Sequence, residues 1–246
     1  MTLSLAIARK VAAEACEAAG VELITPDSPS IVRSAVYLAT AARTSLTADE
    51  ARARVSIYVP QLAVDVRALL TLAAPGAVPA SLLARPAVVI GDGVWSPPGT
   101  DDASGAGAVL AGVVGHELSH ALRDRATRDV CGVVCSVLWA TAYLAHPAVQ
   151  LWEEGTCKTS DVTADVILHG RKPDDAYERA MIGLRGPLYS DDARARVIAQ
   201  DAVRSAVMSL RAGQLPGADT AMHDVLRRCR KHGADLGAWN AVVDAA

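Results

Sequence analysis

The sequence predicts an α+β fold that is mostly α-helical and contains one small sheet. Stretches with helical patterns, many of them rich in Ala, make up most of the 246 residues. One short run, Ala87 to Ile90, is rich in β-branched residues and closed by glycine, as expected of a strand. Hydrophobic residues make up 51% of the chain, which is enough to build the core of a single domain.

Two helices are predicted before residue 45. The first covers Leu3 to Ala19 and ends at Gly20, because glycine readily adopts the left-handed conformation that closes a helix. A loop containing Pro26 and Pro29 separates it from the second helix, Ile31 to Arg43.

A third helix is predicted from the capping box Thr47-Ala48-Asp49-Glu50. The Thr47 hydroxyl can accept a hydrogen bond from a first-turn amide, and the Glu50 carboxylate can reach back to the Thr47 amide. We expect this helix to run toward Tyr58, to be interrupted by Pro60 and to resume through Leu72. A Pro- and Ala-rich connector then leads to the strand.

Helices also dominate the rest of the chain, after a loop rich in Gly and Pro over 95–107. The later helical patterns cover 108–128, 130–145, 174–184, 191–212, 218–231 and 234–244. These elements predict one domain, 1–246. It comprises an N-terminal helical part (1–75), a core that holds the motif described next (86–170) and a C-terminal helical part (171–246).

The helix predicted over 108–128 contains a His-Glu-x-x-His motif, from His116 to His120. Four residues along a helix return to nearly the same face, so both imidazoles can bind one Zn²⁺. Glu117 lies at the edge of that face, where it can take a proton from water instead of binding the metal. The motif therefore predicts zinc ligands at His116 and His120 and a general base at Glu117.

A third ligand is expected downstream, where Trp152-Glu153-Glu154-Gly155 contains adjacent carboxylates. The two motif histidines with a later Glu resemble the gluzincin branch of the zincin metallopeptidases. The Trp-x-Glu-Gly ending is similar to the segment of aminopeptidase-like members in which the Glu before Gly binds zinc. The resemblance covers residues 87–165. It implies a zincin-like core with a metal-binding helix, Glu154 as the ligand and Glu153 as its neighbour.

Two features depart from the gluzincin pattern. His120 and Glu154 are 34 positions apart, a longer spacing than is typical of that branch, and Lys158 stands four residues after Glu154, where those families often have Asp. Asp161 is therefore a rival third ligand, with Asp165 as the carboxylate that would orient it. Glu153 is the remaining alternative.

The resemblance also implies two features of the substrate cleft. An edge strand ahead of the metal helix would pair with the extended backbone of a peptide, and Ala87 to Ile90 is the candidate. A further side chain would stabilise the oxyanion formed from the scissile carbonyl. No spacing singles out one candidate from the six downstream residues, which are Tyr143, Tyr177, Tyr189, His169, Arg171 and Arg185.

Residues Val130 to Trp152 include no Asp, Glu, Lys or Arg, and this length would suffice to span a bilayer. A single span would separate the motif histidines from Glu154 by about 30 Å, too far for one metal ion. We therefore expect 130–145 to be a buried core helix across the metal helix, with a turn at His146-Pro147 that returns Glu154 to the site. Membrane association is not expected.

Charge and cysteine content limit the functional class. A net charge of −3 offers no basic field for nucleic acid. The five cysteines form an odd set without a C-x-x-C pair, so no disulfide framework is predicted, and Cys131 and Cys135 are expected to pack in apolar surroundings. The N-terminus lacks the basic region of a signal peptide, so we expect a cytoplasmic protein.

The leading functional hypothesis is a zinc-dependent peptidase, either an endopeptidase or an aminopeptidase, that acts on a peptide or protein substrate. In it, Zn²⁺ would be held by His116, His120 and Glu154. The alternative is a non-catalytic zincin-derived structural or interaction module within a larger assembly. Ala-rich helices and an aromatic content of only 4% suit packing against partner subunits as well.

Overall fold

The computed structural model describes residues 3–28, 31–60, 85–98, 105–185, 193–217 and 220–246. The three strands are β1 (Glu22–Ile24), β2 (Ile57–Val59) and β3 (Ala87–Val89). The helices are α1 (Leu5–Ala19), α2 (Ile31–Arg43), α3 (Ala48–Arg54), α4 (Asp92–Trp95), α5 (Ala106–Cys131), α6 (Val133–Ala145), α7 (Pro147–Ile167), α8 (Pro173–Gly183), α9 (Ala193–Arg211), α10 (Thr220–Lys231) and α11 (Asn240–Ala245), with a 3₁₀ turn at Gly237–Trp239. The predicted fold class, mostly helical with a small sheet, is confirmed.

Local signals set the ends of the first helices. Ser4 caps α1 by accepting a hydrogen bond from the Ile7 amide, and Gly20 ends it with a φ of 70°. The capping box of Thr47 and Glu50 forms as predicted at the start of α3.

The prediction that α3 runs toward Tyr58 is wrong. The helix ends at Arg54, and Ile57–Val59 forms strand β2. The physical reason is that Ile57 and Val59, on either side of Tyr58, are β-branched and favour an extended backbone. All three residues pair with β3 as an antiparallel strand. The continuation predicted from Pro60 through Leu72 lies almost entirely outside the described residues.

The sheet has the order β1-β3-β2, with β3 parallel to β1 and antiparallel to β2. Side chains alternate along β3. Val88 faces the main helical core, whereas Ala87 and Val89 pack in a smaller cluster with Tyr37 of α2. The expectation that Ala87 to Ile90 forms an edge strand is therefore wrong, because β3 is central. Within the described part of the chain, β1 and β2 are the two edge strands of the sheet.

Helices α5, α6 and α7 follow one another with only Gly132 and His146 between them. The helix expected over 130–145 forms as α6 from Val133 only, because Val130 and Cys131 still belong to α5, and the expectation that it is buried is wrong. Val130, Val134 and Leu138 are exposed by 85%, 68% and 61%. Only the opposite side of α6, which carries the buried Ser136, packs against the protein, so its apolar composition did not predict burial.

The turn at His146-Pro147 bends the chain by 99° between α6 and α7. Proline suits the first turn of α7, where its missing N–H would have no helical partner. No single helix within the described ranges is long and apolar enough to cross a membrane, and α6 and α7 meet that criterion only as a bent pair.

The cysteines at the end of α5 and in α6 also differ from expectation. Cys131 and Cys135 are joined as a disulfide across the break at Gly132, with their Cα atoms 5.7 Å apart, instead of packing as free thiols. Cys16, Cys157 and Cys229 are free and buried.

Candidate metal centre

Helix α5 carries the His-Glu-x-x-His motif in its buried central part. His116 and His120 are 8% and 5% exposed, and their rings lie edge to face with centroids 5.2 Å apart. This is the arrangement that a spacing of four residues predicts for one helix face. The structure therefore brings the two predicted histidine ligands together inside the protein.

Glu154 of α7 faces both histidines. Its Oε2 atom lies 3.5 Å from Nε2 of His116, and its Oε1 atom lies 3.5 Å from Nε2 of His120. The bend between α6 and α7 produces this meeting, since it returns the chain to α5 after the apolar stretch. Glu154 is only 3% exposed, so its carboxylate contacts the histidines inside the protein.

The other ring nitrogens of the two histidines face carboxylates. Nδ1 of His116 lies 3.0 Å from Asp161 Oδ1, and Nδ1 of His120 lies 3.2 Å from Glu153 Oε1. Each carboxylate has a basic partner, because Lys158 binds Asp161 at 2.5 Å and Arg123 donates from Nε to Glu153 at 2.7 Å. Asp161 and Glu153 therefore contact the histidines at Nδ1, the ring nitrogen that does not face Glu154.

The pKa values in this cluster reflect burial opposed by charge. Burial lowers the pKa of His116, but the Asp161 carboxylate more than compensates and raises it to about 10. Burial raises the pKa of Glu154, yet the two imidazoles hold it well below its usual range. In the metal-free protein the carboxylates and imidazoles thus stabilise one another's charged forms.

The residues suggested as alternatives have other surroundings. Asp165, expected to orient Asp161, instead pairs with Arg171 and Arg179 at 3.0 and 3.1 Å. Asp161 itself contacts His116 on the nitrogen that points away from Glu154.

Cys157 is a member of this cluster that sequence reasoning missed. Its Sγ atom lies 3.3 Å from Nδ1 of His120 and accepts a hydrogen bond from Arg123 at the same distance. His116, His120 and Cys157 are all buried, one potential ligand atom from each lies within 4.8 Å of the others, and the group could hold a metal ion. The available signal was its spacing of four residues from Glu153, which amounts to one turn once this segment forms helix α7.

Glu117 is buried beside the histidines and lines the same cleft as strand β2. Burial raises the pKa of Glu117 above its ordinary value, while the neighbouring imidazoles oppose that shift. Strand β2, which was not predicted, thus lines the cleft beside the expected general base.

Tyr143 is the oxyanion candidate that the structure brings to the centre. Its hydroxyl donates a hydrogen bond to Glu154 Oε1, and its ring contacts His120 with centroids 6.0 Å apart. Trp139 stacks on the Tyr143 ring, with centroids 5.9 Å apart. Of the other candidates, Arg171 is paired with Asp165 and Tyr177 packs against the core, while Tyr189 lies outside the described residues.

A cleft of about 320 Å³ opens onto the centre. Its floor includes His116, Glu117, His120 and Glu154, and its walls come from α2, from β2 with its flanking residues, and from α6. Strand β2 therefore occupies the position along the cleft for which the strand at 87–90 had been predicted.

No protein-family model, curated protein or solved structure matches this chain. The interpretation of the site consequently depends on its own chemistry.

Proposed function

We propose that the chain is a zinc-dependent peptidase whose metal is held by His116, His120 and Glu154. The observation that carries this proposal is the position of the Glu154 carboxylate, 3.5 Å from Nε2 of each histidine. Ligand atoms bound tetrahedrally at the Zn–N and Zn–O distances usual in proteins are separated by about 3.4 Å. Each histidine nitrogen thus lies at about this separation from one of the two Glu154 oxygens.

The surrounding hydrogen bonds suit the same assignment. Histidines that bind a metal through one nitrogen usually donate from the other to a carboxylate, which fixes the tautomer and the ring orientation. Asp161 and Glu153 are in position to accept those hydrogen bonds. Cys157 approaches His120 on this outer nitrogen, so we assign it to the supporting layer and Glu154 to the metal.

The formal charge of the cluster also suits a divalent cation. With both histidines neutral, as metal ligation requires, the four carboxylates and two basic groups leave a net charge of −2. These groups are Glu117, Glu153, Glu154, Asp161, Arg123 and Lys158. In the metal-free protein the two charged imidazoles compensate this charge, and a bound Zn²⁺ would replace them in that role.

The chain's own residues supply the remaining parts of peptide hydrolysis. A bound Zn²⁺ would polarise the scissile carbonyl and lower the pKa of the attacking water. Glu117, buried beside the histidines, takes the water proton and passes it to the leaving amine. The Tyr143 hydroxyl, which donates to Glu154 in this structure, would turn its one proton to the developing oxyanion. Among the described residues no strand pairs with the outer edge of β2, and we assign that edge to the extended substrate backbone.

A Glu117→Gln variant tests this proposal. It keeps the shape of the side chain but removes the base, so we expect a full zinc complement and no hydrolysis of a reduced, alkylated and unfolded protein substrate. Glu178→Gln, the same change at an exposed position of α8, serves as the control and should cleave at the wild-type rate. Cleavage by Glu117→Gln that remains sensitive to a chelator would refute the assignment.

A second candidate function is a non-catalytic interaction module, which the exposed apolar side chains of Val130, Val134 and Leu138 favour. Zinc in the wild-type protein together with the absence of hydrolysis of any unfolded substrate would support this function over the peptidase.

A further inference from the structure

The walls of the cleft are largely apolar next to the candidate metal centre. Helix α2 contributes Val36 and Ala39, strand β2 contributes Ile57 and Val59, and helix α6 contributes Trp139 and Ala140. These residues come from three separate elements and enclose one space that is continuous with His116 and Glu154.

The hydroxyl groups of the walls have partners within the protein. Thr40 and Thr44 each donate to the backbone carbonyl four residues earlier in α2, at 2.9 Å. Ser56 accepts from the Gly91 amide at 3.1 Å, and Tyr58 donates to the buried Asp124 at 2.6 Å. These residues therefore offer the cleft mainly their carbon atoms.

The aromatic wall also offers carbon to the cleft, for a different reason. The indole nitrogen of Trp139 is buried and has no hydrogen-bond partner among the described residues, so the ring meets the cleft through carbon. Apart from Gln150, the polar groups that remain in the lining are the histidines, carboxylates and Tyr143 of the metal centre. The cleft thus combines one polar end, where bond cleavage would occur, with an apolar space beside it.

We propose that this space selects peptides with a large aliphatic or aromatic side chain adjacent to the scissile bond. The inference rests on the proposed peptidase function and adds its substrate class. An apolar side chain in the cleft gains by leaving water, whereas an Asp or Lys side chain would lose its hydration without a matching partner. In apolar pockets a single methylene group changes specificity by about 10-fold or more.

Hydrolysis of a blocked peptide series tests the proposal directly. The peptides share one sequence and carry Ala, Leu, Phe, Asp or Lys on either side of the cleaved bond. We expect kcat/KM for Leu or Phe on one side to exceed that for Ala by at least about 10-fold, and that for Asp or Lys by more. Equal rates for Leu, Asp and Lys on both sides would overturn the proposal.

A substitution in the wall of the cleft tests whether this space determines which peptide side chain is preferred. Ala140→Leu adds bulk to the cleft and should shift the preference from Phe and Leu toward Ala. Ala145→Leu makes the same change at an exposed position of α6 and should leave the preference unaltered. An unchanged preference in a folded Ala140→Leu protein would overturn the assignment of the pocket.

Binding of the same peptides to Glu117→Gln separates this inference from the proposed function. Tighter binding of Leu and Phe peptides, without hydrolysis by the wild type, would support the apolar pocket and refute the peptidase. Hydrolysis by the wild type without preference in either assay would refute the pocket and leave the peptidase standing.

Discussion

Gly155 lies directly against Ala199 where helix α7 crosses helix α9. A methyl group built at Gly155 would overlap both the Cα and the Cβ atoms of Ala199. The two helices pack closely only because residue 155 has no side chain, and this contact holds the adjacent Glu154 at its depth beside the histidines. The glycine of the Trp-x-Glu-Gly segment therefore has a structural reason in this fold.

Gly155→Ala should destabilise the protein by about 1–3 kcal/mol, because the added methyl meets helix backbone that cannot move independently. Gly183→Ala is the matched control, since its methyl would make ordinary contact with Lys158 Cε at 3.5 Å. Urea unfolding of the metal-free proteins measures both changes. Equal stability of the two variants would contradict the proposed packing.

The choice between Glu154 and Cys157 as third ligand predicts opposite outcomes for two variants. Glu154→Gln should lose most of its zinc, because it removes the anionic oxygens that face both Nε2 atoms. Cys157→Ser should keep a full zinc complement. Elemental analysis after dialysis against a weak chelator measures both, and the reverse pattern would assign the ligand to Cys157.

Asp161 should support metal binding through His116. Asp161→Asn weakens the acceptor for the Nδ1–H of His116, and such changes typically cost about 10–100-fold in metal affinity. Asp165→Asn, on the same helix but paired with Arg171 and Arg179, should change affinity little. Competition with a zinc-binding dye gives the dissociation constants. Similar losses in both variants would indicate a general effect on α7 and not a specific one on His116.

Tyr143→Phe should lower kcat by about 10²–10³-fold with little change in zinc content, since the hydroxyl acts on the oxyanion as the bond is cleaved. Tyr177→Phe, at a partly buried position against the core, is the control and should retain activity. Loss of zinc from Tyr143→Phe in proportion to the loss of activity would instead mean that the hydroxyl serves only to position Glu154.

Two core thiols predict a decline of stability in alkaline solution. Burial raises the pKa of Cys16 and of Cys229 from 9.0 to about 12. The unfolded chain therefore ionises these thiols first, and their contribution to stability is complete below about pH 9 and is lost as the pH rises toward about 12. A Cys16→Ala/Cys229→Ala protein should show a shallower fall in unfolding free energy between pH 8 and pH 10. An identical slope in the two proteins would contradict the shift.

The same burial should protect both thiols from alkylation in the native state. Iodoacetamide at pH 8 should not label Cys16 or Cys229 in the native protein but should label both in urea. Mass spectrometry of tryptic peptides measures the labelling.

Sequence patterns were most informative where one local signal determines the structure. Helix α2 has the predicted bounds, and α1 ends at Gly20 because glycine alone closes the helix there. The spacing of His116 and His120 predicted their shared face because helix geometry depends on no other part of the chain.

The features that were missed depend on how elements pack. Strand β2 is only three residues long and follows a strong helix start, so its sequence alone did not predict a strand. The strand is defined by its pairing with β3, which the sequence does not reveal. The apolar composition of α6 could not reveal that Val134 and Leu138 face outward. Asp161 follows Glu154 by two helical turns and shares its face, which is why spacing alone left both as ligand candidates.

The central claim is that one zinc ion is bound between α5 and α7. An anomalous-difference map, recorded above the zinc absorption edge from crystals of the protein as purified, tests it most directly. The account predicts one peak within about 2.2 Å of Nε2 of His116, Nε2 of His120 and a carboxylate oxygen of Glu154. A zinc-loaded crystal with no peak there, or with its peak between Nδ1 of His120 and Cys157, would contradict it.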